Sequence, residues 1–438
     1  MMISWVNDIE SHPTESDNAT MSPDELIYKL GLEAKKASQL LLDASIESIN
    51  KSLRDCADLL RKNVERILDK NSVDLKRGKK KNLNPAQLDR LTLTSERIED
   101  MACSLEKIAD LPDPVNKVIE SRKRPNGLTI ERVSVPLGVL GIIYESRPNV
   151  TIDAAALALK SRNAIILRGG SEALQTSLIL HQIMSEALIQ NGLPAEATGI
   201  VDTPDRAIVY AMLHADQFID VMIPRGGQGL IERVTKEARM PVLSHLDGIC
   251  HVYIHKNADP AIAEKVTLNA KLRRTGICGA AETLLIDMAY PEEKARDILD
   301  MLLTANCEIV GDKRACALHK DVRKASELDW ATEYLDSKIS VRFIEDISQA
   351  IEHINHYGSH HTDSIITNDN DAVSQFMKYV DSGIVMHNTS TQFADGGEFG
   401  MGGEIGISTG KLHARGPVGL EQLTTYKYLV RGSGQTRA

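Results

Sequence analysis

Among the six cysteines of this 438-residue chain, Cys278 has the setting best suited to display a reactive thiol. It lies in the run RRTGICGAAET (273–283), with Gly276 and Gly279 close on either side and Arg273 and Arg274 just upstream. Flanking glycines suit a tight turn with bare backbone N–H groups, and nearby guanidinium groups favour thiolate over thiol. A thiolate beside amide donors is the equipment of acyl transfer: sulfur attacks a carbonyl carbon while N–H groups hold the oxyanion. The residue types alone leave a second reading open, a small buried structural cysteine. Cys56, Cys103, Cys250, Cys307 and Cys316 show no CxxC and no paired spacing, so all are read as reduced thiols in a cytoplasmic chain. Cys250 in particular is expected to pack.

Two glycine-rich turns follow expected strands. AIILRGGSE (164–172) places Arg168, Gly169, Gly170, Ser171 and Glu172 at a strand end, and IPRGGQGL (223–230) does the same with Arg225, Gly226 and Gly227. Such turns lead into helix N-termini, whose amides bind anions, and each arginine adds a fork that matches phosphate. A plain tight turn with a surface arginine is the alternative for either one alone. Two of the same form favour phosphate or nucleotide contact. No GxGxxG, Walker loop or HExxH motif is present, so a dinucleotide here does without the usual fingerprint. The histidines His353, His356, His360 and His361 have no carboxylate or cysteine at zinc spacing, and no metal is expected. In the stretch 395–404 the glycines are interrupted by Phe399 and Met401, with Phe393 and Ile405 alongside, which predicts an ordered loop packed over a site.

These candidates need elements to hold them. From Asp24 to about Lys123 the pattern is helical: Ile46, Ile49, Leu53, Cys56, Leu60, Val64 and Ile67 mark one apolar face of a long helix. The basic run 76–81 reads as a solvated turn. Residues 129–134 then alternate as a half-exposed strand. Short apolar runs follow at 139–144, 164–167, 219–223, 251–254, 283–286, 340–343, 364–366 and 383–386, with helical stretches between them. Strands apolar on both faces, each followed by a helix, predict parallel α/β sheets, and their number predicts two α/β domains dividing near Gly248. The tail 423–430 alternates again, as a strand that leaves its own domain would. A net charge of -10 argues against nucleic acid or an anionic membrane as main partner, and no apolar run approaches the ~20 residues of a membrane helix. Residues 1–23 read as a flexible extension without the marks of a signal peptide.

At these residues the chain resembles the gamma-glutamyl phosphate reductase branch of the aldehyde dehydrogenase superfamily. The resemblance runs from about Asp24 to the C-terminus. It is carried by AIEHINHYGSHHTDSI (350–365), VPLGVLGIIYESRPN (135–149), LRGGSE (167–172) and KLHARGPVGL (411–420). It implies an aldehyde-dehydrogenase-like fold: an NADPH-binding Rossmann-like domain (24–127 and 148–248), a catalytic domain (249–390), a loop region returning to the cofactor domain (391–420), and a small β flap for oligomerisation (128–147 and 421–438).

The resemblance also implies roles. Cys278 matches the family nucleophile, and Asn149 would be the side-chain half of the oxyanion hole. Arg168, Gly169, Gly170, Ser171, Glu172, Arg225, Gly226 and Gly227 match nucleotide-contacting turns, and Glu333 falls where the superfamily has a carboxylate on the nicotinamide ribose. Arg147, His413 and Arg415 are candidates for substrate carboxylate or phosphate. The implied reaction is NADPH-dependent reduction of L-glutamyl 5-phosphate to L-glutamate 5-semialdehyde, the second step of proline biosynthesis, in a homo-oligomer that could contact glutamate 5-kinase. Two departures stand out. Gly279 takes the place of an asparagine found after the cysteine in many relatives. The stretch LSHLDGICH (243–251) lacks the glutamate base with which oxidising relatives activate water, which suits a reductase. The alternatives are another acylating semialdehyde dehydrogenase, or a catalytically silent scaffold for the kinase.

Overall fold

In this computed structural model, which describes residues 21–437, the apolar runs become strands of two parallel sheets. The first has four strands in the order Thr198–Ile200, Ala164–Gly169, Val139–Tyr144, Val221–Arg225. Val139–Tyr144 is buried along its whole length, as a strand covered by helices on both faces must be. The chain runs from this central strand to one side of the sheet and later returns to the other. The carboxyl ends of Val139–Tyr144 and Val221–Arg225 therefore flank a topological switch point, where open α/β sheets bind ligands.

The second sheet has seven strands, all parallel, in the order Arg323–Lys324, Glu308–Gly311, Lys338–Ile344, Ala281–Asp287, Cys250–Ile254, Thr362–Ile366, Ile384–His387. A separate antiparallel sheet joins Val118–Lys123 and Thr424–Arg431 to the two edges of Thr129–Pro136. Residues of the 391–420 segment return to the first sheet, where Ile405, Ala414, Val418 and Leu420 enter its core. No helix among the described residues is long and apolar enough to cross a membrane.

Three expectations change. The long apolar face is carried by two helices, Ile46–Lys62 and Val64–Lys80. The break is Asn63, whose Nδ2 donates to the Leu59 carbonyl at 2.8 Å, an alternative to the helical ladder that asparagine readily takes. The buried face continues across it through Ile49, Leu53, Cys56, Leu60 and Ile67, so the periodicity hides it. Val118–Lys123, read as the end of the helical region, is a strand. Its side chains are nearly all exposed, so backbone pairing rather than apolar alternation defines it. The small sheet also stops short of residue 147: Gly138, at φ +128°, turns the chain so that Val139–Tyr144 enters the first parallel sheet. The extension assigned to residues 1–23 lies outside the described residues up to position 20, and the helix Pro23–Leu41 begins at its end under a Ser22–Glu25 capping box.

One buried ion pair ties the second sheet to the helix before it. Lys271, at the end of Pro260–Leu272, donates from Nζ to Glu282 Oε2 at 2.6 Å, and both side chains are fully buried. Burial pushes the Glu282 carboxyl up, while Lys271 draws it back down. Removing one partner of such a pair strands the other charge, so Lys271→Met is expected to cost roughly 3–5 kcal/mol. A carboxyl held high in the folded state gives stability at low pH that is lost as pH rises. The deficit should therefore grow as pH is raised through neutral. Lys271→Met/Glu282→Leu should recover most of it. Urea titrations at two pH values check both statements; a loss independent of pH would contradict them.

Candidate active site

The segment 273–280 links the helix Pro260–Leu272 to the strand Ala281–Asp287, and Cys278 stands just before that strand. The neighbouring strands Cys250–Ile254 and Thr362–Ile366 start at the same edge in parallel register. The amino edge of the second sheet thus gathers Cys278, Cys250 and His361. A ring nitrogen of His245, Cys278 Sγ and a ring nitrogen of His361 lie within 4.8 Å of one another. Cys278 is partly exposed and packs beside Ile384, Met386, Ala394 and Ile407, the last two from the 391–420 segment. Cys250 is fully buried beneath it, its thiol pushed well up by burial, and donates from Sγ to the Cys278 carbonyl at 3.1 Å. His361 is also fully buried; burial holds its ring near a pKa of about 4, so it is neutral at physiological pH.

Gly248 forms the floor of the turn. A side chain there would land on the Cys278 carbonyl oxygen and 2.5 Å from its Cα, so the backbones can meet only over glycine. Glu333 holds that glycine in place, Oε1 accepting from Gly248 N at 2.9 Å. The carboxylate expected on a ribose is therefore engaged beside the thiol turn.

Positive charge faces the thiol from the first sheet. Arg147, just past Val139–Tyr144, is pulled down to about 10, first by burial and then by Arg225, Arg90 and Arg274, with Cys278 also in electrostatic reach. Arg225 reaches Gly406 in the 391–420 segment and lies near Glu404 and Asp153. Arg225 therefore faces the thiol side as well as the end of its own strand. Arg273 donates from Nε to Gln392 Oε1 at 2.9 Å. Asn149 Nδ2 donates to Asp153 Oδ2 at 2.9 Å, and burial raises the Asp153 carboxyl to about 6.

At the glycine turns the chain supplies its own anions. Gly227, the N-cap of the helix Gln228–Glu237, donates to Glu145 Oε2 at 3.0 Å, and the same carboxylate covers Gly226. Glu172 sits over Gly170 and accepts from Ser146 N at 2.7 Å. Gly169 lies against Tyr144 and Ser177. Arg168 is only 7% exposed, faces Glu172 and Glu145, and leaves a buried Nε without a partner.

The remaining candidates lie in other company. His413 Nε2 meets the Gln422 carbonyl at 2.7 Å, and Arg415 donates to Asp381 Oδ1 at 2.7 Å. Of the four clustered histidines His361 alone joins the thiol. His353 is buried against His251, Trp330 and Tyr357, His356 meets Tyr357 edge to face, and His360 Nδ1 meets the Asp381 carbonyl.

Sequence reasoning missed two residues. His245 faces Cys278 from the stretch noted only for the glutamate it lacks, and no spacing rule links the two. Lys81, the last residue of the basic run, donates to Ser171 Oγ at 3.4 Å in the first glycine turn; a basic run ending a helix was the available signal.

The aldehyde dehydrogenase family model matches residues 20–309. A gamma-glutamyl phosphate reductase from Zymomonas mobilis is 53% identical, the match covering 96% of this chain and 98% of that one. One from Rhodospirillum rubrum is 52% identical over 96% and 100%. The crystal structure of a gamma-glutamyl phosphate reductase from Thermotoga maritima superposes with a TM-score of 0.92 at 39% identity, covering 94% of this chain and all of that one.

The close approach at Gly248 makes a test of the turn. Gly248→Ala should displace Cys278 and slow its alkylation by iodoacetamide by roughly tenfold or more, the equivalent of about 1.4 kcal/mol. The measurement is the rate of mass gain at Cys278 in folded protein; an unchanged rate would show that the turn tolerates a side chain there.

Proposed function

The chain belongs to the aldehyde dehydrogenase family, among its gamma-glutamyl phosphate reductases, and we propose that it reduces L-glutamyl 5-phosphate to L-glutamate 5-semialdehyde through a thioester on Cys278. It is an oxidoreductase of the proline-biosynthetic step, and its family implies a nicotinamide cofactor. The observation that carries the mechanism is the partly exposed Cys278 thiol on its glycine-floored turn, within electrostatic reach of Arg147.

Cys278 Sγ forms a bond to the acyl carbon, the carbon–oxygen bond to phosphate breaks, and phosphate leaves with the electron pair. Arg147, with Arg225 and Arg274 in reach, supplies the positive field that a doubly charged leaving group needs. Backbone amides of the 276–279 turn take the developing oxyanion. Asn149 can join them only by turning its amide from Asp153. NADPH, held at the Arg168 and Gly227 turns, would supply the hydride that reduces the thioester. The carbon–sulfur bond then breaks, the aldehyde leaves and the thiolate returns.

NADPH fits the first sheet on one observation: the orphaned Nε of Arg168 at the turn, with Lys81 beside Ser171, leaves cationic donors for a 2′-phosphate. The amide of Gly227 would take a phosphate in place of Glu145. Tyr426, Tyr428 and Val430 are exposed on the antiparallel sheet, the face through which copies would associate. The six free cysteines suit the reducing cytoplasm. A substrate as labile as an acyl phosphate favours direct contact with glutamate 5-kinase.

The deciding assay is the reverse reaction, phosphate-dependent reduction of NADP with glutamate 5-semialdehyde. Cys278→Ala should abolish it while folding and NADPH binding persist, and Cys278→Ser should do almost as badly for want of a base strong enough for an alcohol. Near-normal turnover by Cys278→Ala would end the covalent mechanism. Activity that needs coenzyme A in place of phosphate would make the chain another acylating dehydrogenase, and none at all would leave the scaffold.

Arg168→Ala should raise the KM for NADPH by roughly 10–100-fold, the worth of a hydrogen bond to a charged group, and that for NADH far less. Equal losses would remove Arg168 from the 2′-phosphate.

A further inference from the structure

The thiol has two imidazole neighbours that the acyl-transfer chemistry does not require. His245 Nδ1 meets the Ile407 carbonyl at 2.9 Å, so that nitrogen carries the proton and Nε2 keeps its lone pair. His361 Nδ1 meets Thr362 Oγ1 at 2.9 Å and lies 3.6 Å from Cys250 Sγ, while its Nε2 is buried with no partner. A histidine held at one nitrogen by an oxygen, with the other free, is the arrangement found at metal ligands. Ring nitrogens of both and Cys278 Sγ lie within 4.8 Å of one another.

We propose that His245, Cys278 and His361 form a reversible zinc site which, when filled, ties up the thiol and stops the enzyme. Two imidazole nitrogens and one thiolate, with water in the fourth position, make a tetrahedral set that suits zinc. Zinc–nitrogen bonds of about 2.0–2.1 Å and a zinc–sulfur bond of about 2.3 Å place the ligand atoms about 3.3–3.6 Å apart, so the atoms need draw in by no more than roughly 1.5 Å. Cys278 is on a turn and His245 is half-buried, so side-chain rotation supplies the movement.

On binding, Cys278 releases its proton and its sulfur electron pair forms the zinc–sulfur bond, so that pair cannot attack an acyl carbon. Glu333, Glu404 and Asp363 lie in electrostatic reach of His361 and favour a cation; Arg147 opposes it. The inhibitory half rests on Cys278 being the nucleophile; the metal site does not.

Cobalt(II) serves as the probe, added to the full-length protein without thiol reductants. The expected result is one cobalt per chain, with a near-ultraviolet thiolate-to-cobalt charge-transfer band and the strong visible bands of tetrahedral geometry. Cys278→Ser should lose the charge-transfer band. His245→Asn should weaken binding by at least roughly tenfold. Thr362→Val, which leaves every ligand in place, should weaken it by roughly 10–100-fold. A control at a separate histidine, His319→Ala, should change nothing.

A charge-transfer band that survives Cys278→Ser, or an affinity unmoved by His245→Asn, overturns the site. Zinc should inhibit turnover in step with occupancy, and a chelator should restore it. Full occupancy with turnover intact would keep the site and overturn Cys278 as nucleophile.

Discussion

The buried pair Lys271–Glu282 is the constraint on which the thiol site depends. Its two residues stand at the exit of one helix and the entry of one strand, so they clamp the ends of the turn that carries Cys278. Glu282 also accepts from Leu335 N at 3.3 Å, which brings the neighbouring Glu333 to Gly248 N, and Gly248 lies directly under Cys278. The circuit closes on itself: ion pair, segment 333–335, glycine floor, cysteine turn. The ion pair at its centre is fully buried, so solvent does little to weaken that link. A buried ion pair contributes little net stability compared with apolar residues of the same volume. Its value here is geometric, because it fixes a turn that has no regular secondary structure of its own.

The two sheets share the work unequally. The first offers its carboxyl edge, as open α/β sheets do, and places Arg147 and Arg225 there. The second offers its amino edge, where three adjacent strands begin at Cys278, Cys250 and His361. Opposed edges bring the Arg147 guanidinium of one sheet within electrostatic reach of the sulfur of the other, and the 391–420 segment bridges them through Ile405, Gly406 and Ile407.

What could be read from the chain follows the range of each signal. The tight turn that carries Cys278 was legible because its glycines are sequence neighbours, and the inner strands because burial on both faces makes them continuous apolar runs. Val118–Lys123 was not, since an exposed strand has no apolar period. The break at Asn63 was not, since the apolar face runs straight through it. At the second glycine turn the local reading saw bare amides, whereas Gly227 is served by Glu145, 82 residues away in the chain. His361 meets the thiol through the register of parallel strands and His245 through a loop held to the Ile407 carbonyl, neither of which local spacing encodes.

The small antiparallel sheet has a consequence for how the chain is made. Thr424–Arg431 pairs in continuous register with Thr129–Pro136, nearly three hundred residues earlier. On a ribosome adding 5–20 residues per second, the earlier strand waits roughly 15–60 s for its second partner. Through that interval one of its edges offers unpaired backbone groups to any neighbouring nascent chain. The strand that seals it is the last in chain order among the described residues, so both parallel sheets are synthesised before this one can close.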